Sequence, residues 1–241
     1  MKKTLFIADL HIDSQQPLIS ELFFKFLQQD WVIKADALYI LGDLFEAWLG
    51  DDDDTPLYQQ VKTALKQANI QGLPVYILHG NRDFLLAQDF CQQTGCTLLN
   101  ELVSLDLYGE KVVLMHGDVL CTADIAYLKM REQIRHPVWQ QQFLQLSLSQ
   151  RRLAAQQLRQ QSKQATAEKK EVIMDVTPTA VEALLLERDA DCLIHGHTHR
   201  QARHDFKLAG RPAQRWVLGD WETRANVLVC TPHDKHFQVI N

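Results

Sequence analysis

The chain has 241 residues and a formal net charge of −5 with its ten histidines neutral. Hydrophobic residues make up 46% and charged residues 23%, with 10 glycines and 7 prolines, a globular composition that excludes disordered, collagen-like and low-complexity chains. The acidic balance argues against a protein that coats nucleic acid, and no apolar stretch reaches the roughly 18 to 20 residues needed to cross a bilayer.

The size predicts a single domain, 1–241, with an insertion. Met1-Lys2-Lys3 runs straight into Thr4 to Ala8, so no signal peptide or anchor is expected. Thr4 to Ala8 is the first of five short apolar runs; the others are Ala37 to Leu41, Val75 to Leu78, Val112 to Met115 and Cys192 to Ile194. Their length and unbroken apolarity predict strands covered on both faces. Between the first three, Leu18, Leu22, Phe23, Phe26 and Leu27, and then Val61, Leu65 and Ala68, recur at helical spacing. Strand alternating with helix implies an α/β fold with a partly parallel sheet. The four aspartates Asp51 to Asp54 lack the spacing of a calcium loop and are expected to form a solvated acidic loop.

Residues 124–171 break the alternation: strands vanish and a Gln-rich, Arg-rich region appears, with Pro137 placed like a first-turn proline. This segment is expected to be an inserted helical cap. From Lys129 to Glu171 nine Lys or Arg face three Glu, a local charge of +6, beside an apolar set that includes Trp139 and Phe143. A basic surface facing lipid, or packing on the main domain, would use both. The tail, Arg215 to Leu218, Asn226 to Cys230 and Phe237 to Ile240, is expected to form consecutive strands of a second sheet. Cys91, Cys96, Cys121, Cys192 and Cys230 are odd in number and scattered, which predicts reduced core thiols and a cytoplasmic protein.

Each of the five apolar runs is followed by residues that can bind a metal: Asp9-Leu10-His11, Gly42-Asp43, Gly80-Asn81-Arg82-Asp83, His116-Gly117-Asp118 and Gly196-His197-Thr198-His199. In open α/β sheets the carboxyl ends of strands converge on one crevice, so these groups can meet there. Singly, each string is also a turn, a helix cap or a histidine closing a strand; seven potential ligands at five strand ends are not explained that way. Mixed oxygen and imidazole donors suit Mn²⁺, Fe²⁺ or Zn²⁺, and seven exceed one ion's needs. Two ions sharing a carboxylate would use them all, as in sites that activate water while clamping phosphoryl oxygens.

This ordered set resembles the calcineurin-like metallophosphoesterases. The resemblance implies a two-sheet α/β sandwich flanked by helices, with one ion on Asp9, His11, Asp43 and His199 and another on Asp43, Asn81, His116 and His197, Asp43 bridging. Catalytic roles fall to Asn81, Arg82 and His116; at Arg82 the sequence departs from the histidine found in many members, and a fixed guanidinium there suits anion binding. Phe6 to His11, Leu41 to Trp48, His79 to Phe84, Met115 to Asp118 with Leu120 to Thr122, and Ile194 to Arg200 are similar to the UDP-2,3-diacylglucosamine pyrophosphatase family of lipid A synthesis, as are Ser162-Lys163 and Ile173 to Asp175 in the insert. That resemblance implies cleavage of UDP-2,3-diacylglucosamine to UMP and 2,3-diacylglucosamine 1-phosphate with two Mn²⁺, peripherally on the cytoplasmic side of a bacterial inner membrane. It implies substrate contacts at Asn81, Arg82, Asp124, Ser162, Thr166, Lys169 and His197, with Thr166 standing where many members have Asn. Tyr127 and Arg159 are further candidates on the cap, Glu46 and Asp83 could orient ligands, and His79 and His195 are expected to complete strand ends. No role is assigned to His136 or His204, and no protein partner or nucleic acid is implied. A metallophosphoesterase for a soluble nucleotide or phosphoprotein, and a non-enzymatic scaffold, are the alternatives. Because 124–171 contains none of the seven ligands, substitutions in it are expected to affect recognition and spare the chemistry.

Overall fold

The structure, a computed structural model, describes residues 2–167 and 175–240, with 161–167 described in backbone only. All five apolar runs form strands: β1 (Thr4–Ile7), β2 (Ala37–Leu41), β3 (Val75–Leu78), β6 (Glu110–Met115) and β7 (Cys192–His195). Together with β4 (Thr97–Leu98), β5 (Leu102–Leu107), β8 (Ala202–Leu208), β9 (Arg211–Val217), β10 (Ala225–Cys230) and β11 (Lys235–Ile240) they build two sheets, ordered β11-β10-β1-β2-β3-β4 and β5-β6-β7-β9-β8. Strands β1 to β4 are parallel, as are β6, β7 and β9, while β5, β8, β10 and β11 pair antiparallel.

Period-two alternation sorts each strand between two layers. Phe6 and Ala8 join Leu41, Leu78, Leu114, Ile194, Trp216 and Leu228 in a core between the sheets. Leu5 and Ile7 face the other way, under the helices α1 (Pro17–Leu27), α3 (Pro56–Ile70) and α4 (Gln88–Thr94). On the far side of the second sheet, Val113, Met115 and Leu193 pack under α8 (Pro178–Glu187) through Val181 and Leu185. Burial on both faces is why these strands read as continuous apolar runs. The short α2 (Asp30–Ile33) follows α1, and α5 (Ile125–Arg135), α6 (Pro137–Gln145) and α7 (Leu148–Ala167) occupy the segment without strands. Pro137 is in the first turn of α6, and all five cysteines are buried and free.

Two expectations are corrected. The tail does not form one sheet: β9 joins the second sheet, whereas β10 and β11 return to the first, with Leu5 opposite Val229. Alternation could not reveal this because β10 is buried on both faces. The crossing is made by Trp221, whose ring packs edge-on against Phe26 of α1 at 5.6 Å and whose indole N–H donates to the Asn226 carbonyl at 3.1 Å. Nor is Asp51 to Asp54 simply a solvated loop. Asp51 accepts the Ala87 and Phe90 amides at the start of α4, Asp52 forms a bidentate pair with Arg151, and Asp53, 2% exposed, takes the Thr55 hydroxyl and Arg152. The loop is a clamp that receives α7.

Candidate metal centre

The loops after β1, β2 and β3 of the first sheet and after β6 and β7 of the second bring Asp9, His11, Asp43, Asn81, His116, His197 and His199 into one cluster. Asp9, His11 and His199 offer donor atoms within 4.8 Å of one another, and so do Asp9, Asp43 and His116. Asn81 Oδ1 lies 2.9 Å from both His116 Nε2 and His197 Nδ1. Asp43 Oδ2 faces both halves, 3.9 Å from His11 Nε2 and 3.7 Å from His116 Nε2. Each carboxylate keeps one anchored oxygen. Asp43 Oδ1 accepts the Arg82 amide at 2.7 Å and Asp9 Oδ2 the His197 amide at 2.9 Å, while Asp9 Oδ1 is buried without a hydrogen-bond partner.

The histidines are oriented from outside. His116 Nδ1 donates to the Leu41 carbonyl at 3.0 Å, which leaves the Nε2 lone pair facing inward. His199 Nδ1 lies 3.1 Å from Asp220 Oδ2, and His11 Nδ1 lies 3.1 Å from Glu46 Oε2. Two imidazole pairs then point ring nitrogens at each other at 3.2 Å, His11 with His199 and His116 with His197. Facing lone pairs repel unless positive charge lies between them, so the donor set fits two cations, one at each pair. The electrostatics agree. Burial alone would lower the basicity of His199, yet Asp220 and Asp9 raise its pKa to about 10, so positive charge is stabilised there. Burial would raise the Asp9 pKa, but His199, His116 and His11 hold it at about 2. Burial pushes Asp43 up, and it pulls His197 down to about 4 with help from the neighbouring His116.

Backbone strain marks the same loops. Asp9, His11, Asp43, His197 and His199 have φ between 52° and 70°, five of the eight non-glycine residues with positive φ among those described. Such conformations cost of order 1–3 kcal/mol each and persist where surrounding structure enforces them. Glycine is required beside them: a Cβ at Gly80 would overlap the Asp43 carboxylate and amide, and one at Gly196 would overlap Asp9.

A cleft opens from the cluster between the ligand loops and α5 to α7. Its walls include Trp48, Phe84, Met130, Ile134, Trp139, Phe143 and Leu158, and Asn81, Arg82, Arg131, Arg135 and Arg159 supply polar groups. The space amounts to roughly 810 Å³ with solvent at its mouth included. Asn81, Arg82, Tyr127 and Arg159 line the cleft, and the Tyr127 ring stands 5.9 Å from that of His197. Asp124 caps α5 by accepting the Tyr127 amide at 3.1 Å, which gives it a local structural task. Arg159 reaches Glu46 at 3.3 Å and Asp13 at 3.6 Å; burial would raise the Glu46 pKa, but His11, Arg82 and Arg159 bring it to about 2. Ser162 and Thr166 are on α7 with side chains outside the described residues, and Lys169 lies outside them altogether. Asp83 fixes two ligand loops through backbone amides, accepting Gly80 and Leu44 N–H at 2.8 Å each. His79 meets the Leu86 carbonyl at 2.8 Å; His195 is fully buried, its pKa lowered to about 3 by that burial and by Arg215. Sequence reasoning missed Asp220, although Gly219-Asp220 after an apolar run repeats the Gly42-Asp43 pattern.

The sequence matches the calcineurin-like phosphoesterase family over residues 2–201. It is 51% identical over 218 residues to the UDP-2,3-diacylglucosamine hydrolase of Cellvibrio japonicus, covering 90% of each chain. With the protein of the same name from Aeromonas hydrophila it shares 48% over 237 residues, covering 98% of this chain and 97% of the relative. Among solved structures, an archaeal phosphodiesterase superposes with a TM-score of 0.51 at 11% identity, covering 99% of this chain and 98% of the other, a likeness of fold. The chain belongs to the calcineurin-like phosphoesterase family, among relatives that carry the name UDP-2,3-diacylglucosamine hydrolase.

Proposed function

We propose that this protein hydrolyses the pyrophosphate bond of UDP-2,3-diacylglucosamine, giving UMP and 2,3-diacylglucosamine 1-phosphate, a step of lipid A synthesis. The observation that carries the reading is the continuity of a cation-binding cluster with a cleft walled by four aromatic rings besides Trp48 and rimmed by arginines. A diacylated sugar nucleotide needs both, cations for its phosphates and an apolar wall for its acyl chains. In this reading one cation rests on Asp9, His11, Asp43 and His199 and a second on Asp43, Asn81, His116 and His197, and Mn²⁺ suits these donors. Two bound divalent cations supply Lewis acidity and make water acidic enough to react at neutral pH.

The chain's own groups do the rest. Arg82, whose backbone is tied to Asp43 at 2.7 Å, presents a permanent cation to the phosphoryl oxygens as charge develops. Asn81 adds an amide donor, and Tyr127, Arg159 and Asp124, with Ser162, Thr166 and Lys169, orient the substrate. Water adds its oxygen to the uridine-side phosphorus, the anhydride bond breaks, the lipid phosphate leaves as an anion, and the released proton passes to solvent. No helix is long and apolar enough to cross a membrane among the described residues. Ile125, Val138, Leu146 and Leu153 on α5 to α7 are exposed, which supports peripheral contact with the cytoplasmic face of the inner membrane. Incubation with Mn²⁺ and UDP-2,3-diacylglucosamine in ¹⁸O-water should yield UMP carrying the label; no UMP would refute the substrate, and label confined to the lipid product would refute the attacked phosphorus.

A further inference from the structure

A second polar network joins α5 to the loops that hold the metal ligands. Asp118, two residues after His116 and 3% exposed, accepts the Tyr127 hydroxyl and Arg131 Nε at 2.6 Å each. Arg131 continues through Nη2 to Glu101 at 2.8 Å, Glu101 also takes Arg135 Nη1, and Arg135 Nη2 donates to the Gly80 carbonyl at 2.7 Å. Gly80 precedes Asn81. The network thus starts at the loop after β6 and ends at the loop after β3, the two loops whose side chains His116 and Asn81 meet at 2.9 Å. Meanwhile α5 contains no buried residue, so little apolar burial holds it in place. The same helix gives Tyr127, Met130, Ile134 and both arginines to the cleft wall, and the Arg135 guanidinium stacks 4.8 Å from the Phe84 ring centre.

We propose that Arg131, Arg135 and Glu101 are positioning residues that set the spacing of the Asn81 and His116 loops, so that α5 couples the substrate cleft to the metal pair. The inference rests on reading the cluster as a metal centre. It reverses the expectation that recognition and chemistry separate, because a helix without metal ligands fixes the backbone on which two of them sit. Glu101 decides the matter: it binds both guanidiniums but neither lines the cleft nor offers a donor to the cluster, so its loss reaches the cations only through the network.

The experiment titrates Mn²⁺ alone, without substrate, into the wild type, Glu101→Gln, Arg135→Lys and Glu132→Gln, reading free Mn²⁺ by electron paramagnetic resonance. Glu132 is exposed on the same helix and controls for the loss of one negative charge. Glu101→Gln and Arg135→Lys should weaken at least one Mn²⁺ by about tenfold, the lower end of what partners of metal ligands contribute. Glu132→Gln should match the wild type. They should also lower kcat on a small chromogenic phosphodiester that does not fill the cleft. A purely structural role would lower the melting temperature and leave Mn²⁺ affinity unchanged, and that result in both variants overturns the proposal. Should Glu101→Gln fail to fold, Arg135→Lys, which keeps the charge, decides alone. A chain that binds Mn²⁺ more weakly in the variants but never cleaves UDP-2,3-diacylglucosamine would refute the substrate and leave the positioning intact.

Discussion

Asp43 carries more of the centre than any other residue, since its Oδ2 faces His11 and His116 at 3.9 and 3.7 Å while Oδ1 anchors the Arg82 amide. Asp43→Ala should therefore abolish binding of both cations and reduce hydrolysis by more than about 100-fold, beyond the range for residues that merely support ligands. Metal analysis of the purified variant checks this, and two retained cations would disprove the bridge. Gly80→Ala tests the close packing behind Asp43: the new methyl displaces its carboxylate, so activity should fall roughly 10- to 100-fold while the fold, judged by circular dichroism, persists. The seven cluster residues were legible because each follows an apolar run, a pattern of local order. Asp220 was legible in the same way, since Gly219-Asp220 follows an apolar run, but Glu101, Arg131 and Arg135 were not, because their importance lies in partners 13 to 55 residues away. No local spacing encodes such pairs.

The run of four aspartates shows where sequence reading at the level of elements fails. Four adjacent carboxylates look like a solvated loop, yet Arg151, 3% exposed, donates to Asp52 and to the Leu49 carbonyl, and Arg152 spans Asp53 and Asp54. The pairing crosses about a hundred residues of chain, from the end of the β2 loop to the start of α7. Asp52→Ala leaves a buried guanidinium with carbonyl partners only. The expected loss is about 1–2 kcal/mol, kept below the usual figure for charged hydrogen bonds because Asp52 itself is 64% exposed. Hydrogen bonding to Arg151 lowers the Asp52 pKa below its ordinary 3.8. A depressed carboxylate contributes stability above its unfolded pKa, and that contribution disappears as pH falls through the lower folded value. The stability difference between wild type and Asp52→Ala, measured by urea unfolding, should thus be full at pH 7 and shrink on acidification below pH 3.8. A difference independent of pH would mean that Asp52 acts through packing. The sheet membership of the tail strands fails for a related reason: β10 is buried on both faces and so carries no mark of the sheet it joins, although its strand character, like that of β1, β2 and β3, is legible from the same apolarity.

At the scale of the molecule, the described arginines of the basic cap turn toward the main body. Among the described residues, Arg131, Arg135, Arg151, Arg152 and Arg159 are all paired with carboxylates of the main body, and the exposed side chains of this segment include the apolar Ile125, Val138, Leu146 and Leu153 beside Lys129. Binding to anionic vesicles should accordingly fall more with Leu146→Ser plus Leu153→Ser than with added salt; sedimentation that collapses in salt and ignores both substitutions would restore a charge-driven surface. Asp9, His11, Asp43 and Asn81 follow strands of the first sheet, and His116, His197 and His199 follow strands of the second, so on the proposed ligand assignment bound cations would link the two sheets. A cation that binds the folded state at 100 times its Kd adds about 2.7 kcal/mol. In a chain of this size each kcal/mol raises the melting temperature by roughly 2–4 °C, so every cation should contribute about 5–10 °C. Stripping metal with a chelator should lower the melting temperature by at least that amount, and Mn²⁺ should restore it. Asp43→Ala should melt at the chelated value with or without Mn²⁺. Equal melting temperatures for the Mn²⁺-loaded and chelated wild type would show that the cations do not brace the two sheets, whereas a full Mn²⁺ response in Asp43→Ala would place the brace on other residues.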